Sequence, residues 1–261
     1  TGIDTNQNFD NFVQGRSNQL AKAIAQQVVS DLGQTHCNPF SLYAGTGLGK
    51  THLLHAIGNA LLQRSPNLRV LYIHYQRFYR DILKAINTSS VEADKLKKFY
   101  RSLDVLMIDD IQFLADKPKV QEEFLHLFNA LLEQKKQIVL TSNIFPKNIE
   151  GIDPAIKSRL SWGISSTIEP PELETRVAIL RKKAEDRGAE ISDDATYMMA
   201  QKLRTNVREL EGALNKLIAW QKWKQQPITV DTVRETLRDL FASYDHLITI
   251  ENIQRVVAEY Y

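Results

Sequence analysis

The run Tyr43-Ala44-Gly45-Thr46-Gly47-Leu48-Gly49-Lys50-Thr51 places glycines, a lysine and a hydroxyl between an apolar stretch and an amphipathic one. That order is the chemistry of a phosphate cradle. The glycines let the backbone N–H groups from Gly45 through Thr46, Gly47, Leu48 and Gly49 converge on phosphate oxygens. Lys50 then reaches the β and γ phosphates, and the Thr51 hydroxyl is a magnesium ligand. The usual pattern G-x-x-x-x-G-K-[ST] opens on glycine, where this chain has Ala44. A Cβ is tolerated there if φ stays negative, at the loss of one freely adaptable position.

A phosphate loop needs an acidic partner, and Val105-Leu106-Met107-Ile108-Asp109-Asp110 has the form of one. Four apolar residues ending in paired acids describe a buried strand that delivers carboxylates to the ligand-binding edge of a sheet. Asp109 is the expected magnesium holder, usually through water, and Asp110 the group that orients or deprotonates the attacking water. Taken alone the pair reads equally as a strand ending in solvated acids. Val139-Leu140-Thr141-Ser142-Asn143 ends another strand with a polar residue able to hydrogen-bond a γ-phosphate or the water. Arg159 and Arg208 sit among apolar helical positions and can present a guanidinium to phosphate. From spacing alone, a surface ion pair is the better account of each arginine.

The elements that must position these groups follow from the apolar runs. Strands are expected at 40–43, 70–74, 105–109, 138–142 and 164–168, alternating with helical patterns at 51–62, 76–86 and 120–133. That alternation predicts a doubly wound parallel sheet flanked by helices. Glu169-Pro170-Pro171 breaks the chain, and helical patterns follow at 172–187, 193–203, 207–222 and 231–241, the last with Asp231 as its expected N-cap. From Thr249 a further helix is expected, leading toward something outside the sequence, so the chain reads as an excised fragment.

Composition narrows the classes. The 261 residues are 43% hydrophobic and 25% charged, as in ordinary globular proteins. The 33 basic and 31 acidic residues nearly cancel to +2, so any nucleic-acid contact must be local. One cysteine, Cys37, rules out an intrachain disulfide and fits a reducing compartment. No signal-peptide pattern opens the chain and no apolar stretch approaches a membrane span.

Several longer stretches carry a resemblance to a known family. The phosphate loop followed by His52-Leu53-Leu54-His55-Ala56, then Ile108-Asp109-Asp110-Ile111-Gln112-Phe113, Glu169-Pro170-Pro171-Glu172-Leu173-Glu174-Thr175-Arg176 and Asn206-Val207-Arg208-Glu209-Leu210-Glu211-Gly212 resemble the DnaA family of bacterial chromosomal replication initiators. Phe9-Asp10-Asn11-Phe12-Val13 and Ser17-Asn18 resemble that family's nucleotide-flanking entry segment, which brings Val13, Asn18 and His52 into the expected nucleotide site.

The resemblance implies a P-loop AAA+ parallel-sheet domain over 1–169 and a smaller all-α lid over 170–242. A linker helix over 243–261 would lead toward a DNA-binding domain absent from the chain. It implies ATP or ADP with Mg2+, slow hydrolysis used as a switch, and a cytoplasmic protein that assembles with itself in the ATP state and melts origin DNA. Asn143 becomes the first sensor, Arg208 the lid sensor, and Arg159 a finger inserted into a neighbour's site. Leu83, Lys117 and Lys119 fall where the family contacts single-stranded DNA; a buried leucine and two solvated lysines are the alternative reading.

The implied partners are origin DNA, single-stranded here and duplex through the absent domain, the replicative helicase, initiator regulators and acidic phospholipids near 231–248. Ala155 stands where the family usually has another arginine, so one contact between protomers is expected to be missing. A regulatory or helicase-loading AAA+ adaptor is the competing function. A P-loop kinase is a third, disfavoured because the finger and lid arginines have no purpose there.

Overall fold

A computed structural model describes residues 2–87, 90–247 and 257–258. The chain divides into two compact units, Thr1–Glu169 and Pro170–Tyr261. In the first unit the order is α1 (Gln19–Ser30), β1 (Phe40–Ala44), α2 (Lys50–Arg64), β2 (Val70–His74), α3 (Tyr75–Asn87), α4 (Ser90–Arg101), β3 (Val105–Asp109), α5 (Pro118–Glu133), β4 (Gln137–Ser142), α6 (Pro154–Leu160) and β5 (Ile164–Ile168). The strands form one parallel sheet in the order β2-β3-β4-β1-β5.

Strand order and crossover handedness decide which face each helix covers. From β1 the chain jumps to the far edge strand β2, then returns through β3 and β4 and passes β1 to reach β5. Right-handed crossovers in opposite directions put their helices on opposite faces. Accordingly, Leu53, Leu54, Ile57 and Leu61 of α2 pack with Ala21, Ile24 and Val28 of α1, while Phe78, Tyr100, Phe124 and Phe128 of α3 to α5 fill the other layer. Strand β3 serves both: Val105 and Met107 enter the first layer, Leu106 and Ile108 the second. Burial on both sides explains why β3 reads as an unbroken apolar run.

Helices α1, α4 and α6 were not among the expected elements. Helix α1 buries Ala21, Ile24, Ala25 and Val28 at helical spacing. In α6, Asp153 caps through a hydrogen bond from Ala155 N (2.7 Å), and Pro154 occupies the first turn.

The second unit contains α7 (Leu173–Glu185), α8 (Asp193–Lys202), α9 (Val207–Lys224), α10 (Val230–Thr236) and α11 (Arg238–Leu247). Leu180, Met199, Leu210, Leu214, Leu217, Val233, Leu237 and Phe241 form its core. The single helix expected at 231–241 is two, separated at Leu237. Its cap is Thr229, whose side chain accepts from Thr232 N, because Asp231 already lies inside the first turn. Residue 242 falls within α11, and most of the expected linker helix lies outside the described residues. Val233, Leu237 and Phe241 are turned into the core, so as far as Phe241 the apolar face of the segment considered for lipid contact is occupied by packing.

Candidate nucleotide site

The phosphate loop joins β1 to α2 at the C-terminal edge of the sheet, where parallel α/β folds bind ligands. Gly47 and Gly49 have φ of 75° and 101°, values costly for residues with a Cβ. At Gly49 an added Cβ would also lie 3.2 Å from the Phe12 ring. Ala44 makes no such demand: it ends β1, its φ is not positive, and it is buried. The loss of glycine at this position is therefore absorbed by the strand. Helix α2 starts at Lys50, so the unpaired N–H groups of its first turn and its dipole face the loop.

Lys50 folds back over the loop, its Nζ donating to the carbonyls of Ala44 (2.7 Å) and Gly45 (3.1 Å). Thr51 Oγ1 donates to Asp109 Oδ2 at 2.7 Å, bringing the two expected metal-binding groups together. Asp109 is buried, and Tyr72 donates to the same oxygen at 3.0 Å while Thr141 donates to Oδ1. A carboxylate with three hydroxyl donors is fixed in orientation. Burial and the adjacent Asp109 charge push the Tyr72 phenol well above its ordinary range, which keeps it a donor. Hard hydroxyl and carboxylate oxygens suit Mg2+, and Thr51 and Asp109 are the residues that would hold it.

Asp110 has φ 61° and ψ 52°, a left-handed conformation that aspartate tolerates better than most residues. Its backbone N donates to Thr141 Oγ1 at 2.9 Å. Its carboxylate is held from two sides, by Gln112 Nε2 (3.1 Å) and by His74 Nε2 (3.1 Å). Asn143 lies just past β4, exposed, with its backbone N bonded to Gln112 Oε1 (3.3 Å), so it shares this edge with Asp110.

Tyr72, His74, Gln112 and Thr141 were not among the expected site residues. Strand pairing would have found Thr141, since Met107 aligns with Val139 and Asp109 therefore lies opposite Thr141.

The entry segment is tied to α2 by residues one helical face apart. His52 Nε2 lies 2.9 Å from the Asn8 carbonyl and 3.0 Å from Asn11 Oδ1, with Phe12 edge-on to its ring. His55 Nδ1 accepts from Asp4 N (3.3 Å), and Asn59 donates to the carbonyls of Asp4 and Gln7. The His52 ring thus holds the chain that borders the loop. Asn18 acts similarly: it accepts from Gly15 N and donates to the Val13 carbonyl, each at 2.9 Å, shaping the turn that carries Val13.

Burial holds His55 below its ordinary value of 6.5. A folded-state pKa lowered in this way gives stability that is complete above the unfolded value and lost as pH falls from there through the lower folded value. The unfolding midpoint is expected to drop on acidification from pH 7.5 to 5.5, and His55→Asn, which keeps an acceptor for Asp4 N, should flatten that part of the profile. Parallel profiles for the two proteins would assign the acid sensitivity elsewhere.

Arg159 lies in the last turn of α6, partly exposed, its guanidinium 5.0 Å from the exposed Trp162 ring. Helix α6 leads from the end of β4 to the start of β5, so Arg159 approaches the opposite edge of the sheet. There Ser41 Oγ donates to Leu160 O (3.2 Å) and Ile164 N to Pro39 O (3.0 Å). The length of β1, about 13 Å at ~3.3 Å per residue, separates this edge from the phosphate loop.

Ala155 is one turn earlier on the same face of α6, exposed. Arg208 is exposed in the first turn of α9, capped by Asn206, which accepts from Glu209 N at 2.9 Å and donates to Glu209 Oε1 at 3.1 Å. Neither arginine has an acidic partner among the described residues, so the surface ion pairs favoured by spacing alone do not form. Leu83 packs partly buried on the α3 side of the core, and Lys117 and Lys119 are exposed where α5 begins.

The strand order, the glycine loop on β1, the acidic end of β3 and the polar end of β4 define a P-loop ATPase domain of the AAA+ class. Residues 3–167 match the model of the bacterial DnaA ATPase domain. The chain is also similar to domain III of the Thermotoga maritima replication initiation protein DnaA, at 34% identity and a TM-score of 0.87 over 92% of this chain and 98% of that one. AMPPCP-bound DnaA from Aquifex aeolicus is 31% identical with a TM-score of 0.77, over 86% of this chain and 68% of that one. A replication initiator DnaA bound to AMPPCP and single-stranded DNA is 29% identical with a TM-score of 0.76, over 86% and 70%. The chain belongs to the DnaA family of replication initiators and contains its ATPase domain. Among the described residues no helix is long and apolar enough to cross a membrane.

Proposed function

We propose that this chain is the ATP-responsive assembly unit of its initiator. It binds ATP or ADP with Mg2+ through Gly45 to Thr51 and Asp109, hydrolyses ATP slowly with Asp110 positioning the water, and oligomerises at the origin in the ATP state. Bound Mg2+ supplies charge neutralisation at the β and γ phosphates. Asn143 and Arg208 sense the γ-phosphate in cis, and Arg159 senses it in trans. The two units are read as ATPase and lid, with residues from about 243 onward as the connection to a duplex-binding domain.

One observation carries this reading: Arg159 stands at the opposite edge of the sheet from its own phosphate loop, without an acidic partner among the described residues. A guanidinium so placed is available to a neighbouring protomer's phosphates. Support for the single-strand partner comes from the related initiator bound to AMPPCP and single-stranded DNA. Leu83, Lys117 and Lys119 are the contacts proposed here, and local duplex melting follows from capture of the separated strand. A replicative helicase, initiator regulators, acidic phospholipids and a cytoplasmic setting complete the proposal by family resemblance.

Arg159→Ala is expected to bind ATP as the parent does when dilute, and to fail to assemble on single-stranded DNA in sedimentation experiments with ATP. Loss of ATP affinity in the dilute variant would instead place Arg159 in its own site.

A further inference from the structure

Arg159 is held by an aromatic ring. Its guanidinium lies over the Trp162 indole, 5.0 Å from the ring centroid, and among the described residues neither an acidic side chain nor another acceptor touches it. Trp162 is itself 67% exposed, so the indole that holds the cation is largely open to solvent. Its backbone is fixed from both sides. Trp162 N donates to Arg159 O (3.2 Å), the Ser161 hydroxyl donates to Lys157 O (2.9 Å), and Ile164 N donates to Pro39 O (3.0 Å), so the turn that ends α6 passes directly into β5. Ala155, Arg159 and Trp162 follow one another at helical spacing along one face. The Ala155 methyl offers the guanidinium no acceptor, which leaves the ring as its support.

We propose that Trp162 is a positioning residue for the Arg159 finger and a contact to a second copy of this chain: the indole holds the guanidinium ready for the neighbour's phosphates and is covered when the protomers meet. The proposal rests on the trans role of Arg159 proposed above and adds the residue that prepares it. An acidic side chain would hold the guanidinium too, but it would cancel part of the charge and have to be displaced before phosphate could bind. A ring face accepts the cation without using an oxygen acceptor, so the donors of the planar group stay available to phosphate. Restraint before assembly also lowers the ordering cost of assembly itself. Association then takes the pair out of water, where a cation–π contact gains strength. Tryptophan and arginine are the side chains on which protein interfaces most depend.

Sedimentation of the full chain on single-stranded DNA, with ATP or ADP, tests the assignment. Trp162→Ala should raise the protein concentration for half-assembly with ATP at least about tenfold, the effect of one cation–π contact taken out of water. ATP affinity of the dilute variant should stay that of the parent. Trp162→Tyr, which keeps a π-face, should recover most of the loss, whereas Trp162→Leu, apolar without one, should recover little. With Trp220 and Trp223 replaced by phenylalanine, the remaining Trp162 emission should move to shorter wavelength when ATP, but not ADP, drives assembly. An unchanged emission would overturn the contact with a second copy. Full recovery in Trp162→Leu, or none in Trp162→Tyr, would overturn positioning by the ring. If Trp162→Ala assembled as the parent does while Arg159→Ala failed, Trp162 would have no part in an interface that still used the finger. Assembly of Arg159→Ala like the parent would overturn both readings.

Discussion

Lys50→Ala is expected to reduce ATP and ADP affinity by at least about a hundredfold, below what calorimetry detects at ordinary concentrations. Two losses combine. The ammonium is a charge-assisted donor to phosphate, worth about 1.5–3 kcal/mol. It also bridges the Ala44 and Gly45 carbonyls, so its removal frees the first turn of the loop whose N–H groups make the cradle. The fold should survive, because the α2 core contacts come from Leu53, Leu54, Ile57 and Leu61. The parent should gain thermal stability with added nucleotide, by about 2.7 kcal/mol at a hundred times Kd. The variant should melt near the apo parent with no nucleotide-dependent rise. Unchanged calorimetric affinity would remove the phosphate loop from the binding site. At position 44, Gly is expected to be tolerated, since Ala44 already ends a strand without strain.

How much of this site was legible beforehand depended on whether the signal lay along the chain or across it. The five strands were apparent because each is a compact apolar or β-branched run, and β3, buried on both faces, is the purest case. The loop and the paired acids were apparent because their chemistry is local in sequence. Helix α4 was hidden by its composition: half of SVEADKLKKFYR is charged, and among its described side chains only Tyr100 is fully buried. In α1 the buried stripe rests partly on alanines, which contribute little to an apolar pattern. Helix α6, seven residues long, is too short to display a period, although Asp153-Pro154 marked its start.

Tyr72, His74, Gln112 and Thr141 form a different category. Their types are ordinary for strand ends and turns; the β2-β3-β4 register aims Tyr72, His74 and Thr141 at Asp109 and Asp110, and the turn after β3 brings Gln112 back onto the Asp110 carboxylate. Pairing of strands separated by whole helices is a tertiary fact, which no reading of periodicity supplies. The same reasoning covers His52 and Asn18. Their proximity to the loop followed from the family resemblance, whereas their actual bonds, to Asn8, Asn11, Gly15 and Val13, show that both shape the entry segment.

Asp110→Asn is expected to keep ATP affinity within a few-fold of the parent and to lower hydrolysis by about 10²–10⁴, the usual contribution of a positioned general base. Asparagine tolerates the left-handed backbone found at Asp110, so the N–H bond to Thr141 and the path of the following turn should persist. Gln112 and His74 can still bond the amide, with its oxygen or nitrogen turned as each partner requires. What the substitution removes is the negative charge that draws a proton from water. Asp109 should behave differently: Asp109→Asn would disturb the hydroxyl contacts of Thr51, Tyr72 and Thr141 and weaken Mg2+-dependent nucleotide binding itself. Calorimetry paired with single-turnover phosphate release separates the two carboxylates. If Asp110→Asn turned over ATP at the parent rate, the water would have to be activated by another group at this edge, and His74, already 3.1 Å from the carboxylate, would be the first residue to replace.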